Sequence, residues 1–403
     1  MKTLRRQIVV VAITSTLLAI ANASSLSRKA SIDAHSIFEQ AAVDTLDSID
    51  LQSIPNLNVE AILQEIYFTR AETAAAIPAR RIVSNVTEII DVHAHCVPEW
   101  YRAIVPKTGG NPTPSWNLTG HLDFMASQGI SRAVLAFSSP GANVYPGNKT
   151  ATVGLARLIN EQSAAYAQTH PESFTFYAVV PLPYTDEAIV EANYALDILG
   201  AAGIALYSNF EGHYLGDPTF TPFFAAINAR GGGQIVYIHP TTPYVRVNGS
   251  LVEANPTIYP TGNIEFFFET ARVLEDLAVT QTILNFTNIN YIIPHVGGAW
   301  PSVADRLLKS FPGIYDRTLA ALQTRFYWDS AGPTYFHQVA GLIAYGIPAT
   351  QLMFGTDYPY APLFAYVTSL VGVATSPFVG DEDRPGIWRA NAQRLFGARI
   401  PER

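Results

Sequence analysis

The chain has 403 residues and a formal net charge of −8, and it is 48% hydrophobic, 11% aromatic and only 14% charged. That composition can fill a large core and excludes a disordered chain. With no cluster of Lys or Arg beyond the first residues, it also argues against nucleic acid or an anionic membrane surface as partner and leaves a small ligand. The length suits one barrel-sized domain with terminal extensions.

Lys2, Arg5 and Arg6 precede an apolar run over 8–20 that is short for a bilayer span, and Ala21-Asn22-Ala23 then offers a small-x-small cleavage site. Together with the serines at 24, 25 and 27, this predicts a signal peptide over 1–23 rather than a membrane anchor, and a mature chain in the secretory pathway, secreted or in an endomembrane or vacuolar lumen. Asn85, Asn117, Asn148, Asn248 and Asn285 each open a glycosylation sequon, with Asn285 the weakest because it adjoins a predicted strand. Cys96 is the only cysteine, so no intrachain disulfide forms and stability rests on the core.

Residues 24–87 carry Ile37, Val43, Leu46, Leu51, Ile62 and Ile66 at loosely helical spacing, interrupted by Pro55. The segment reads as an N-terminal helical extension, either laid on the following domain or serving as the arm of a homodimer. From 88 to 403 strand and helix patterns alternate. Apolar, β-branched or aromatic runs fall at 89–92, 133–137, 174–180, 204–207, 235–238, 291–293, 325–328 and 351–354. Helical patterns fall at 121–128, 151–169, 186–199, 222–229, 264–280, 303–310 and 335–345. Eight strands with intervening helices predict a TIM-type (β/α)8 barrel. A doubly wound sheet is the competing fold, disfavoured because no Gly-x-Gly-x-x-Gly follows the first strand. The stretch 241–262 is a long loop placed to cover the barrel mouth.

In such a barrel the C-terminal strand ends converge on one site. His93 and His95 close the first strand, two apart and so on one face. His239 closes the fifth, His295 follows the sixth, and Asp357 follows the eighth. A lone histidine is by default a hydrogen-bonded core residue, but four strand ends bearing nitrogen or carboxylate donors point to a zinc, manganese or iron centre with a position open to water or substrate. Position alone does not separate ligand from acid/base among the histidines. Cys96 points the other way along the strand and reads as packing.

Asp91-Val92-His93-Ala94-His95, Ile238-His239-Pro240, the stretch from Pro294-His295 through Gly297-Gly298-Ala299-Trp300-Pro301 with Arg306, Gly355-Thr356-Asp357-Tyr358-Pro359 and the closing Asn391-Ala392-Gln393-Arg394-Leu395-Phe396-Gly397 resemble the amidohydrolase-related metal-dependent decarboxylases. That group includes aminocarboxymuconate-semialdehyde, gamma-resorcylate and fungal 6-methylsalicylate decarboxylases, and the resemblance spans 88–397. It implies that His93, His95, His239 and Asp357 ligate one divalent metal ion, zinc with manganese as the alternative, and that His295 is the general acid/base. Some relatives have an acidic residue in place of the first histidine; His93 places this chain nearer the aminocarboxymuconate and methylsalicylate types. Larger hydrolases of the superfamily bridge two metals with a strand-four lysine, whereas Gly203-Ile204-Ala205-Leu206-Tyr207-Ser208 offers none.

The expected reaction is nonoxidative decarboxylation of a hydroxylated, 6-methylsalicylate-like aromatic acid, with Asp357 or His295 delivering the proton. A metal-dependent hydrolase or lactonase and a non-catalytic secreted barrel glycoprotein are the alternatives. Trp300, Phe210 and Tyr358, with Tyr207 and Trp328, are candidate substrate-walling or core aromatics. Asp329 is a candidate to orient a ligand. Arg306 is expected to hold its helix by a salt bridge, and His35, His121, His170, His213 and His337 to take surface or capping roles.

Overall fold

The computed structural model describes residues 49–72, 88–332, 335–360 and 363–400. The expected signal segment, His35, the Asn85 sequon and most of the extension lie outside the described residues. The eight main strands are β1 (Ile89–Cys96), β2 (Ile130–Phe137), β3 (Phe174–Val179), β4 (Gly203–Tyr207), β5 (Gln234–His239), β6 (Ile289–Ile293), β7 (Phe326–Asp329) and β8 (Leu352–Met353). They hydrogen-bond in chain order and every pair is parallel. Beyond the short β8 the chain returns to β1. Val92 N donates to Phe354 O at 3.0 Å and His95 N to Tyr358 O at 2.6 Å, so the sheet is nearly closed into a barrel. Parallel strands covered on both faces need continuous apolar runs, and all eight residues of β1 are buried.

The longer helices, one before the first strand, eight between strands and one after the last, are α1 (Val59–Glu72), α2 (Leu118–Gln128), α3 (Lys149–Thr169), α4 (Thr185–Asp197), α5 (Thr221–Ala229), α6 (Glu265–Val279), α7 (Trp300–Leu308), α8 (Pro312–Arg325), α9 (Tyr335–Ala344) and α10 (Leu363–Thr375). Seven match the helical patterns of the sequence within a few residues. The periodicity passes over α8 and α10. Proline in the first turn starts α8 at Pro312, directly after the Lys309-Ser310-Phe311 connection. The Asn117 and Asn148 side chains accept from Gly120 N and Ala151 N and start α2 and α3. Gly129, at φ 71°, ends α2 in a left-handed cap that a Cβ would penalise.

Within the barrel Tyr177 and Tyr237 stack at 4.9 Å among Ile90, Val92, Val134, Ile292 and Met353, and Phe396 from the chain end packs on Tyr177. Outside it, α1 lies on α3. Val59, Ile62 and Ile66 are buried, Arg70 pairs with Glu161 at 2.9 Å, and Thr169 Oγ1 donates to Thr69 O. Each such isoleucine contributes about 1.5–3 kcal/mol by burial, enough to seat the helix. The stretch after β5, expected as a plain loop, forms a hairpin of Tyr244–Val247 against Ser250–Glu253, which Arg246 ties to Glu211 O of the β4 loop. Asn117, Asn148, Asn248 and Asn285 are all exposed; Asn285 ends a short helix (Thr282–Asn285) before β6.

Candidate active site

Both imidazoles of β1 face the mouth of the barrel, buried, with Nε2 to Nε2 at 3.1 Å. Asp357 meets them from the β8 side: its Oδ1 lies 3.4 Å from His93 Nε2 and 3.1 Å from His95 Nε2, and its Oδ2 lies 4.0 Å from His295 Nε2. His239 donates Nδ1–H to Pro240 O at 2.6 Å, which turns Nε2 toward the other rings; its ring centroid sits 5.3, 4.9 and 5.8 Å from those of His93, His95 and His295.

Asp329, at the end of β7, orients the set. Its carboxylate receives His93 Nδ1–H at 3.0 and 3.2 Å and the backbone N–H of His295 and Ala331. With Nδ1 protonated toward the carboxylate, His93 aims Nε2 at the centre, the nitrogen that gives up its proton when a histidine binds a metal. Glycine at 355 lets the β8 return pass close: a Cβ there would stand 2.7 Å from His93 Cβ. His295 and Asp357 both have positive φ, 54° and 61°, as does β-branched Val296 at 52°. Strained left-handed residues of this kind cost roughly 1–3 kcal/mol each and cluster where function requires a particular aim.

Removal from water lowers the basicity of three rings. His239 is held well below the usual range by burial and by the neighbouring histidines, His95 is lowered chiefly by burial, and His295 is pushed down to about 4 by burial with His93 adding to it. His93 is the exception. Burial would lower it, but the Asp329 and Asp357 carboxylates outweigh that and raise it to about 10. Burial also opposes ionisation of Asp357, yet His93 and His95 hold it well below the usual carboxylate range. Asp91, two residues before His93, is pushed up to about 7 by burial despite three donors.

These groups fit a divalent ion. The donors of His93, His239, His295 and Asp357 all lie within 4.8 Å of one another. The 3.1–3.4 Å spacings among His93, His95 and Asp357 match the edges of a tetrahedron with bonds of about 2.0–2.1 Å, which are about 3.3 Å long. One four-donor set, His93, His239, His295 and Asp357, is therefore present, and His95 Nε2 stands 3.1 Å from both His93 Nε2 and Asp357 Oδ1.

A barrel with a nitrogen and carboxylate centre at its mouth agrees with the sequence profile described as amidohydrolase, which matches residues 90–398. The chain belongs to the amidohydrolase family. Over 329 residues this amidohydrolase is 30% identical to decarboxylase yanB of Aspergillus niger, covering 76% of this chain and 87% of the relative. It is 29% identical over 286 residues to 6-methylsalicylic acid decarboxylase of Penicillium expansum, covering 68% and 85%. Among solved structures, an amidohydrolase II superposes with TM-score 0.70 at 29% identity, covering 77% of this chain and 99% of that one. The 5-carboxyvanillate decarboxylase of Novosphingobium aromaticivorans with bound manganese does so with TM-score 0.63 at 19% identity, covering 77% and 97%.

The amidohydrolase distributes its aromatic residues differently from the candidates read in the sequence. Trp300 and Trp328 stack on each other at 5.5 Å in the core, Phe210 packs on Tyr207 and Phe220, and Tyr358 stacks on Phe124 at 4.3 Å and His121 at 4.6 Å. The rings against the histidines are Tyr360 on His95 at 5.1 Å, Phe267 on His295 at 5.4 Å, Phe266 on His239 at 6.0 Å and, from the barrel interior, Tyr237 on His93 at 5.4 Å. Phe266 and Phe267 belong to the first turn of α6, which buried Glu269 anchors. Ser208 Oγ, Asn209 Nδ2 and Tyr214 OH of the β4 loop all donate to that carboxylate at 2.6–2.8 Å. The Phe-Phe-Phe run at 266–268 was the available signal for these rings, but helical periodicity assigns such a run to the core.

Arg306 is exposed and makes no ion pair among the described residues, contrary to the expected salt bridge. His121 is buried, accepting from Trp116 Nε1 at 3.1 Å, so it is a core residue rather than a surface one. His213 pairs with Asp217 at 2.8 Å, His170 caps α3, and His337 is exposed. Cys96 is buried beside Ser163, facing away from the site.

Proposed function

We propose that this amidohydrolase is a metal-dependent decarboxylase of a hydroxylated aromatic carboxylic acid, of the 6-methylsalicylate type, releasing carbon dioxide and a phenol such as m-cresol. The observation that carries the reading is the convergence of four imidazoles and one carboxylate, with His93 Nε2, His95 Nε2 and Asp357 Oδ1 within 3.1–3.4 Å of one another. The relatives named as decarboxylases support it. His93, His95, His239 and Asp357 would hold one divalent ion, zinc or manganese, which supplies Lewis acidity toward the substrate carboxylate and its neighbouring hydroxyl.

The chain's own groups do the rest. Asp329 keeps His93 in one tautomer. Asp357 is committed as an anion beside His93 and His95, which leaves His295 Nε2 to carry the proton. Neutral near pH 7, it takes a proton released as the hydroxylated acid binds and passes it to the ring carbon that bears the carboxylate. A C–H bond forms there, the C–C bond to the carboxylate breaks, its electron pair restores the aromatic ring, and carbon dioxide leaves. Tyr360, Phe266 and Phe267 offer the apolar walls an aromatic ring needs, while Trp300, Phe210 and Tyr358 support the loops behind them.

Carbon dioxide release from a panel of salicylates, with metal-stripped and metal-restored protein, tests this reading. Release that disappears on chelation and returns with zinc or manganese is expected. Lactone opening without gas would instead establish a hydrolase. We also infer that the mature chain is a secreted glycoprotein. The exposure of all four described sequons and the absence of a membrane-crossing helix among the described residues are consistent with that reading; intact mass before and after deglycosylation tests it. The homodimer expected from the sequence is tested by light scattering.

A further inference from the structure

Asp91 stands two residues before His93 on β1, and none of the proposed chemistry uses it. It is fully buried, and its carboxylate collects three donors: Oδ1 accepts from His93 N at 3.0 Å and from Thr356 N at 3.1 Å, and Oδ2 accepts from Thr356 Oγ1 at 2.5 Å. The Thr356 hydroxyl in turn accepts from Tyr358 N at 3.1 Å. One side chain therefore brackets Asp357, joining the residue before it to β1 and the residue after it to the same hydroxyl.

The location makes this bracket consequential. β8 has only two residues, Leu352 and Met353, so the segment bearing Asp357 is not part of a regular strand. It rests on β1 through Thr356 N and Asp357 N, which both donate to His93 O. The pairing of β1 with β2 also shifts register between Asp91 and Ala94, where His93 sits, the kind of irregularity that re-aims a side chain near a site. With Asp357 at φ 61°, nothing in local preference holds its carboxylate toward His93 and His95. The Asp91 and Thr356 contacts do.

We infer that Asp91 and Thr356 form a positioning clamp that sets how tightly the site holds its divalent ion, an inference that rests on the metal-centre reading above. Loss of the Thr356 hydroxyl takes the side-chain donor from buried Asp91 Oδ2 and frees Asp357 to leave its left-handed conformation. The ion then loses a pre-aimed carboxylate while keeping all of its donors.

The test is calorimetric titration of manganese and of zinc into metal-stripped full-length protein, alongside thermal unfolding of the same metal-free samples. In Thr356→Val, affinity is expected to fall about 10–100-fold, as for other residues that orient metal ligands, and in Thr356→Ser to stay within about threefold of wild type. A folded Thr356→Val that binds both ions as wild type does, with only its metal-free unfolding temperature lowered, overturns the clamp and makes the pair merely structural. Asp91→Asn presents an amide to the hydroxyl and is expected to weaken binding as well, so it decides the matter should Thr356→Val fail to fold. Wild-type protein that binds neither ion overturns the metal-centre reading itself, a result distinct from the failure of the clamp.

Discussion

Two of the polar clusters buried among the described residues are built on opposite principles. Between α3 and α4, Arg157 pairs with Glu191 at 2.9 Å and lies 3.7 Å over the Tyr194 ring, Asn160 donates to Glu191 at 2.7 Å, and Tyr194 donates to Glu161 at 2.5 Å. Its charges answer one another and its backbone is ordinary helix. At the barrel mouth, four imidazoles surround one carboxylate, two ring nitrogens have no partner, and His295 and Asp357 occupy left-handed backbone. The first cluster sets its cation against its own carboxylate, although Arg157 Nη1 has no hydrogen-bond partner; the second converges metal-donor atoms on one centre. Buried polarity, even with an unpartnered nitrogen, therefore does not mark a functional site, whereas converging donor atoms on strained backbone do.

The sharpest way to break that contrast is to remove the metal ion or a donor. Chelation, or His239→Ala, is expected to lower kcat/KM by about 10³-fold or more, with metal content by elemental analysis falling in parallel. His295→Ala is expected to lower kcat about 10²–10⁴-fold while metal content holds. Full activity in that variant removes His295 as the proton carrier, and retained metal in Asp357→Asn removes Asp357 from the ligand set.

The α3/α4 cluster should respond in the opposite sense. Arg157→Ala strands buried Glu191 and is expected to cost about 3–5 kcal/mol in denaturant unfolding, with manganese affinity of the folded protein unchanged. A loss of metal affinity there would show that the two clusters are coupled.

The smallest effect belongs to Glu275, a lone buried carboxylate that resembles neither cluster. Burial pushes it up to about 7, only partly offset by the Trp300 indole, with Asp305 adding to the rise. A carboxyl with a raised folded pKa holds its proton more tightly folded than unfolded, so it costs stability progressively as pH rises from about 4 to about 7. Glu275→Gln should therefore match wild type near pH 4 and unfold about 2–4 °C higher at pH 8. An equal shift at both pH values would assign the effect to packing instead.

The sequence by itself determined the alternation of eight strands with helices and the placing of His93, His95, His239, His295 and Asp357 at strand ends. Both follow from local periodicity and from the rule that strand ends converge in a parallel barrel. Only the tertiary structure decided what aims those residues. Asp329 and His93 are 236 residues apart in the chain, and Asp91 and Thr356 are 265 apart; no pattern read along one strand connects them. The rings against the site were hidden for the same reason. Trp300 and Phe210 read as wall candidates from their proximity to strand ends but turn into the core, while Phe266, Phe267 and Tyr360 reach the histidines because α6 and the β8 return are carried there by the closing of the barrel. Local chemistry names the donors, and the pairing of distant segments gives them direction.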